Sequence, residues 1–137
     1  MRILKRGVDL LKPGGTICYS TCSLNPIEDE AVVASILNLY DGSLELCDVS
    51  NRLDGLKRCK GISQWKVCHG SCPDKTSIVY SKFDEVPEGT KGIEASMFPP
   101  DNVERLGLDK CMRVLPHHQD TGGFFICLLK KKKLDVS

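Results

Sequence analysis

The sequence predicts an α/β fold, and three observations predict it. Elements follow in the order helix, strand, helix, strand, an irregular excursion, then strand, the alternation expected of helices laid on a sheet. The change from helical to strand periodicity is punctuated by Lys12-Pro13-Gly14-Gly15, and the return to helix by Asn25-Pro26. The closing run GFFICLLK is apolar and rich in aromatic and branched residues, as a buried strand is. A doubly wound domain normally carries more strands and a glycine-rich nucleotide turn after its first one. Here KPGGT precedes a strand instead of following it, so the chain reads as the second half of such a sheet.

Each element has a local cause. In RILKRGVDLL, residues 2–11, the side chains of Ile3, Leu4, Val8 and Leu11 recur at helical spacing, and Pro and Gly stop the helix. TICYST, 16–21, is a short strand. Asn25 is a candidate cap with Pro26 at the first helical position and Glu28 three residues after it, a capping-box arrangement. Asp29 and Glu30 then add negative charge at the helix's positive end. This helix is expected to run to about Tyr40, where Asp41-Gly42 stops it, and SLELCDVS, 43–50, follows as a strand. NRLDGLKRCKGI is loop-like, and QWKVC and SIVYSKF, 64–68 and 77–83, are expected to pair as a hairpin. Residues 84–102 are rich in Pro, Gly and charge and form the excursion, while 111–118 and 123–130 read as strands joined by QDTGG. The lysine-rich tail is expected to fray.

Composition narrows the classes. The chain has 137 residues, enough for one domain, with 41% hydrophobic and 27% charged residues and a net charge of +1. It is no polycation, so any nucleic-acid contact must come from a local patch. No stretch approaches the ~18–20 apolar residues of a membrane span, and the N-terminus lacks a signal peptide's apolar core, which leads us to expect a cytosolic or nuclear protein. Eight cysteines lie at 18, 22, 47, 59, 68, 72, 111 and 127. With no export signal, and with Cys18, Cys47 and Cys127 inside apolar runs, reduced thiols are expected.

YSTCSLNPIEDEAVV, 19–33, resembles the motif that carries the nucleophile in RNA 5-methylcytosine methyltransferases of the NOP/Sun family. RVLPHHQDTGGFFICLLK, 113–130, resembles that family's closing motif, and DVSNRLDGLKRCKGISQWKV with Met97-Phe98-Pro99-Pro100 resembles its tRNA-methylating branch. The resemblance implies the carboxyl-terminal part of a Rossmann-like class I methyltransferase fold. Residues 1–130 would be the half-domain with an insertion at about 51–110, and 131–137 a basic tail. It implies three core strands, 16–21, 43–49 and 124–130, the last antiparallel and between the other two. It implies S-adenosylmethionine as cofactor, tRNA as partner and the nucleus as location. The cofactor pocket, an Asp on the cytosine ring and a second cysteine in a Pro-Cys motif are then expected upstream. No Pro-Cys occurs here, and Cys72-Pro73 is the reverse order. The chain is therefore expected to be a fragment or an incomplete gene product, inactive alone.

The chemistry wants a thiolate at Cys22. Carbon 5 of cytosine is too electron-poor to take a methyl group until a nucleophile adds at carbon 6, and covalent addition splits one hard step into two easier ones. A cysteine between a strand's carboxyl end and a helix start lies where open α/β sheets bind ligands and where free amides favour the anion. Read locally, such a cysteine is more often a small buried residue than a catalyst, and the resemblance is what selects the nucleophile role. Cys18 is expected in the core. His117 and Asp120, beside His118 and Thr121, are candidates for contact with RNA, against the alternative that the segment only builds a turn. Arg113 either reaches a phosphate or pairs with an acid. Cys59, Cys68, His69 and Cys72 invite a zinc reading, but C-x3-C with no second knuckle lacks the paired spacing of structural zinc, and no metal is expected. Trp65 is expected to pack the hairpin, and Lys130–Lys133 to be solvated. The rival function is a non-catalytic RNA-binding or interaction module.

Overall fold

A computed structural model describes residues 1–70 and 77–133. Helix α1 (Arg2–Leu10) leads through the Pro-Gly-Gly turn to β1 (Thr16–Thr21), and α2 (Glu30–Leu39) leads to β2 (Leu44–Leu46). Two short strands, β3 (Cys59–Lys60) and β4 (Val67–His69), precede β5 (Ile78–Tyr80). Isolated 3-10 turns carry the chain from 83 to 110. Then come β6 (Met112–Val114), a single helical turn α3 (Pro116–Gln119), and the long β7 (Phe124–Lys131).

β7 organises the sheet. It runs antiparallel to β1 along one edge, from Thr16 opposite Lys130 to Thr21 opposite Phe125. Its other edge is shared: β2 pairs with the carboxyl end of β7, Leu46 opposite Leu129, and β6 with the amino end, Arg113 opposite Phe125. β3 extends the sheet beyond β6. β1 and β2 are thus parallel with β7 inserted between them, as the resemblance implied. β2 is shorter than the expected 43–49, although Cys47 N–H still bonds the Leu128 carbonyl at 2.8 Å. β4 and β5 pair separately, Val67 opposite Tyr80, which is the expected hairpin, trimmed.

The helices cover one face of the sheet. Along β7 the alternate residues Phe125, Cys127 and Leu129 are fully buried and meet Leu4 and Val8 of α1 and Val33, Ile36 and Leu37 of α2 in one core. The opposite face presents Thr16, Cys18 and Ser20 to solvent and leaves Phe124 43% exposed. Cys18 is therefore exposed, not core, because no layer among the described residues covers its side of the strand. Ile3, which recurs at helical spacing with Leu4 and Val8, is 88% exposed.

α2 is buried on more than one side, which its sequence foretells: EAVVASILNL has almost no polar stripe. The excursion folds back over its outer surface. Asn38 and Asn102 exchange amide hydrogen bonds of 3.2 and 2.7 Å. Trp65, 8% exposed, packs in the core and donates its indole N–H to the Met97 carbonyl at 2.8 Å. At the other end Lys131 Nζ donates to the Val8 and Leu11 carbonyls, satisfying the end of α1. Its neighbour Lys132 lies 3.7 Å from Glu45, so part of the lysine run is engaged by the fold. No helix among the described residues is long and apolar enough to cross a membrane.

Candidate active site

Cys22 follows β1 directly, at the strand's carboxyl end, and its side chain is exposed. A cavity of about 610 Å³ borders it, between the end of β1 and the turn before α2, with Tyr19, Ser23, Ile27 and Glu28 among its walls. The turn is built by short polar side chains. The Ser23 hydroxyl accepts Asn25 N–H at 3.0 Å, and Asn25 Oδ1 accepts Ile27 N–H at 3.1 Å. Tyr19 anchors it to the strand by donating to the Glu28 carbonyl at 2.7 Å.

The helix starts later than its sequence signals. Residues 26–29 form a turn, and Asp29 leaves the helical region at φ −111° and ψ −96°. Regular helix begins at Glu30 in place of Pro26. Asn25 caps the turn, but Glu28 contributes its carbonyl and the Asn25 N–H bonds Ser23 instead, so the capping box does not close. The amides nearest Cys22 thus belong to a turn rather than a helix end.

Asp29 and Glu30, read from sequence as charges at the helix's positive end, are both fully buried. Arg113 explains how. From β6 its Nε and Nη2 donate to the two Glu30 carboxylate oxygens at 2.6 and 2.5 Å, a bidentate, charge-assisted pair. Its Nη1 donates to the Leu24 carbonyl at 2.9 Å. The hydrogen bond with Glu30 raises the Arg113 pKa above its ordinary value. Glu30 Oε1 also accepts Ile62 N–H at 3.0 Å. Of the two alternatives for Arg113, the structure shows the acid pairing: at 9% exposure the guanidinium is turned inward, not toward an RNA.

Asp29 joins the same cluster. Thr21 Oγ1 donates to Asp29 Oδ1 at 2.6 Å and accepts Ser23 N–H at 3.2 Å. Asp29 Oδ2 makes no hydrogen bond and lies 3.8 Å from Arg113 Nη2. Burial pushes the Asp29 carboxyl up to about 6, more than Thr21 and Arg113 pull it down. Sequence reasoning missed Thr21, Leu24, Asp29 and Glu30 here. The available signal was Arg113 alternating with Met112 and Val114 in an apolar strand, and two acids abutting an all-apolar helix.

The closing motif meets this site from the side. His117 and His118 lie on α3, not on a strand, with their rings edge to face at 4.4 Å. His117 and Asp120 are exposed, and Asp120 turns the chain in the left-handed region at φ 53°. Gln119 fastens α3 by accepting Lys57 N–H and donating to the Lys57 carbonyl. A Cβ on Gly123 would lie 3.2 Å from Leu24 Cδ1, so the turn into β7 presses on the Cys22 loop. The cysteines read for zinc do not gather: Cys59 is in β3, Cys68 and His69 are in β4, and no metal-holding group forms among the described residues. Cys72 lies outside those residues.

A parallel strand pair with an antiparallel strand between, helices on one face and a thiol at a strand's carboxyl end describe part of a methyltransferase fold. The crystal structure of a methyltransferase homolog protein from Pyrococcus horikoshii bears this out. It superposes with a TM-score of 0.56 at 22% identity, over 95% of this chain and 29% of that one. The family model for the 16S rRNA methyltransferase RsmB/F matches residues 1–130, and the chain belongs to that family. A tRNA (cytosine(34)-C(5))-methyltransferase from Drosophila melanogaster is 44% identical over 96% of this chain and 18% of its own length. The multisite-specific tRNA:(cytosine-C(5))-methyltransferase of Saccharomyces cerevisiae is 43% identical, also over 96% of this chain and 18% of its own. The chain thus spans about a fifth of the length of these curated relatives.

Proposed function

We propose that these residues serve a tRNA cytosine-C5 methyltransferase, with Cys22 as its nucleophile. The observation that carries the proposal is the exposed thiol at the carboxyl end of β1, in a braced loop beside a cavity. In the proposed step the Cys22 Sγ anion adds to cytosine C6. A sulfur–carbon bond forms, the C5–C6 π pair moves toward C5, and C5 becomes able to attack a methyl group. Loss of the C5 proton to water afterwards turns the C5–H pair into the C5–C6 π bond, breaks the sulfur–carbon bond and releases the thiolate. A target base must leave its stack to reach such a thiol. The proposal also takes His117 and Asp120, both exposed, as contacts for the RNA.

S-adenosylmethionine is the proposed methyl donor, supplying a methyl group on a sulfonium. The residues present do not fit it. The cavity beside Cys22 offers strand-end hydroxyls and the exposed Glu28 carboxylate, with no buried polar group aimed into it. The proposal therefore sets the donor's site outside these residues and derives no step through it. A nuclear location goes with the reading, and fluorescence of the tagged protein outside nuclei would count against it.

The test is covalent trapping with a tRNA containing 5-fluorocytosine, in the longer protein to which the proposal assigns these residues. Fluorine at C5 blocks the final elimination, so a stable complex through Cys22 is expected, and Cys22→Ser should abolish it while RNA binding persists. No crosslink, or one through another side chain, overturns the proposal.

A further inference from the structure

We propose that Arg113, itself held by Glu30, is a positioning residue for the Cys22 sulfur, acting through the Leu24 carbonyl. The proposal rests on the reading of Cys22 as a nucleophile. Residues 22–25 have no ladder or helix of their own, so their ties decide where they sit. One tie is at the upstream flank, where the Thr21 hydroxyl bonds Asp29 and takes the Ser23 amide. The other is downstream, where Arg113 Nη1 bonds the Leu24 carbonyl. A bond at that carbonyl fixes the peptide plane after Leu24. With Ser23 fixed on the other side, it sets the direction in which the Cys22 side chain leaves the backbone.

The arrangement needs an arginine. Glu30 takes two donors of the guanidinium fork and thereby fixes its plane, which aims the remaining edge at Leu24. A lysine is a point charge on a flexible stem and cannot serve both partners with defined geometry. The reference frame is the sheet itself, since β6 pairs with β7, and β7 with β1. From the other side Gly123 lies against the Leu24 side chain, where an added Cβ would come within 3.2 Å of Leu24 Cδ1. Leu24 is thus held at its carbonyl and packed at its side chain by the closing motif, so two motifs far apart in sequence act on one loop.

The test uses Arg113→Lys and Thr21→Val in this chain, with two readouts. One is the alkylation rate of Cys22 by iodoacetamide relative to exposed Cys18, the two thiols being separated by chymotryptic cleavage after Tyr19. The other is backbone hydrogen exchange. In Arg113→Lys, exchange at 22–28 should rise on the order of tenfold and the Cys22-to-Cys18 ratio should change, while α2 and β7 exchange as in the wild type. Unchanged loop exchange and ratio, or faster exchange spread evenly over α2 and β7, overturns the proposal and leaves Arg113 a structural residue. If Arg113→Lys does not fold, Arg113→Gln decides by the same readouts, with Thr21→Val as the control for the upstream tie. Neither readout involves RNA or a methyl donor. A failed trapping experiment with a shifted ratio removes the enzyme reading alone, and successful trapping with an unshifted ratio removes this one.

Discussion

At Asp29 the fold buries a carboxyl with one oxygen bonded to Thr21 and the other bonded to nothing, and pH should expose the cost. The folded carboxyl titrates at about 6, raised by burial from an ordinary value of 3.8. Between those values the folded state keeps a proton that the unfolded state releases, so stability falls as pH rises through the window. Above it the full penalty applies, about 3 kcal/mol at 1.36 kcal/mol per pKa unit. Asp29→Asn keeps an oxygen for Thr21 and removes the charge. Urea unfolding from pH 3.5 to 7.5 should show the variant level with wild type at the acid end and more stable by up to about 3 kcal/mol at neutrality. A difference that stays constant with pH would refute the assignment. Removing the Glu30 side chain should have the opposite effect on stability. Glu30→Ala strands the Arg113 guanidinium in the interior, a loss of about 3–5 kcal/mol for a broken buried pair, readable in the same unfolding experiment. A loss below about 1 kcal/mol would mean that the pair contributes no more than a surface one.

Strands and helices differ in how far their own residues determine them. β1 is expected over 16–21 and found at Thr16–Thr21, because a β-type run bounded by Gly-Gly marks its own limits even though its ladder partner, β7, is distant in sequence. The start of α2 was not legible in the same way. Asn25-Pro26 is a strong local signal, but Glu30 is drawn to Arg113 eighty-three residues away and Asp29 to Thr21, and those ties decide where regular helix begins. β3 was invisible for a related reason: two residues of a loop-like stretch become a strand only because β6 offers an edge. That pairing depends on Gly61, where an added Cβ would lie 2.1 Å from the Leu108 carbonyl oxygen and 2.9 Å from Cys111 Cβ. Gly61→Ala should therefore push β3 off β6 and destabilise the chain by about 1–3 kcal/mol, the usual range for overpacking. Hydrogen exchange at Gly61, whose N–H now bonds the Cys111 carbonyl at 2.9 Å, should rise first. Unchanged protection there would show that the segment yields without cost.

Over the whole molecule, the order of strands came from the resemblance, and the uncovered face from neither pattern nor motif. Hydrophobic alternation marks which residues of β7 face inward. It cannot say that Cys18 and Phe124, on the other face, meet no second layer among the described residues. β1 also ends the sheet, with β7 on one side and no strand on the other among those residues. Unpaired strand edges and exposed apolar groups favour association between copies. The same geometry bears on the cofactor, since ligands of open α/β sheets sit beyond the carboxyl ends of adjacent strands. Beside the end of β1 the described chain supplies only one flank of such a crevice. This chain alone should therefore give no heat in calorimetric titration with S-adenosylmethionine, and sedimentation velocity should show association rising with concentration. Micromolar cofactor binding would mean that these residues build a donor site after all. A strictly monomeric chain would mean that the open face and the free edge of β1 are better protected than their exposure indicates.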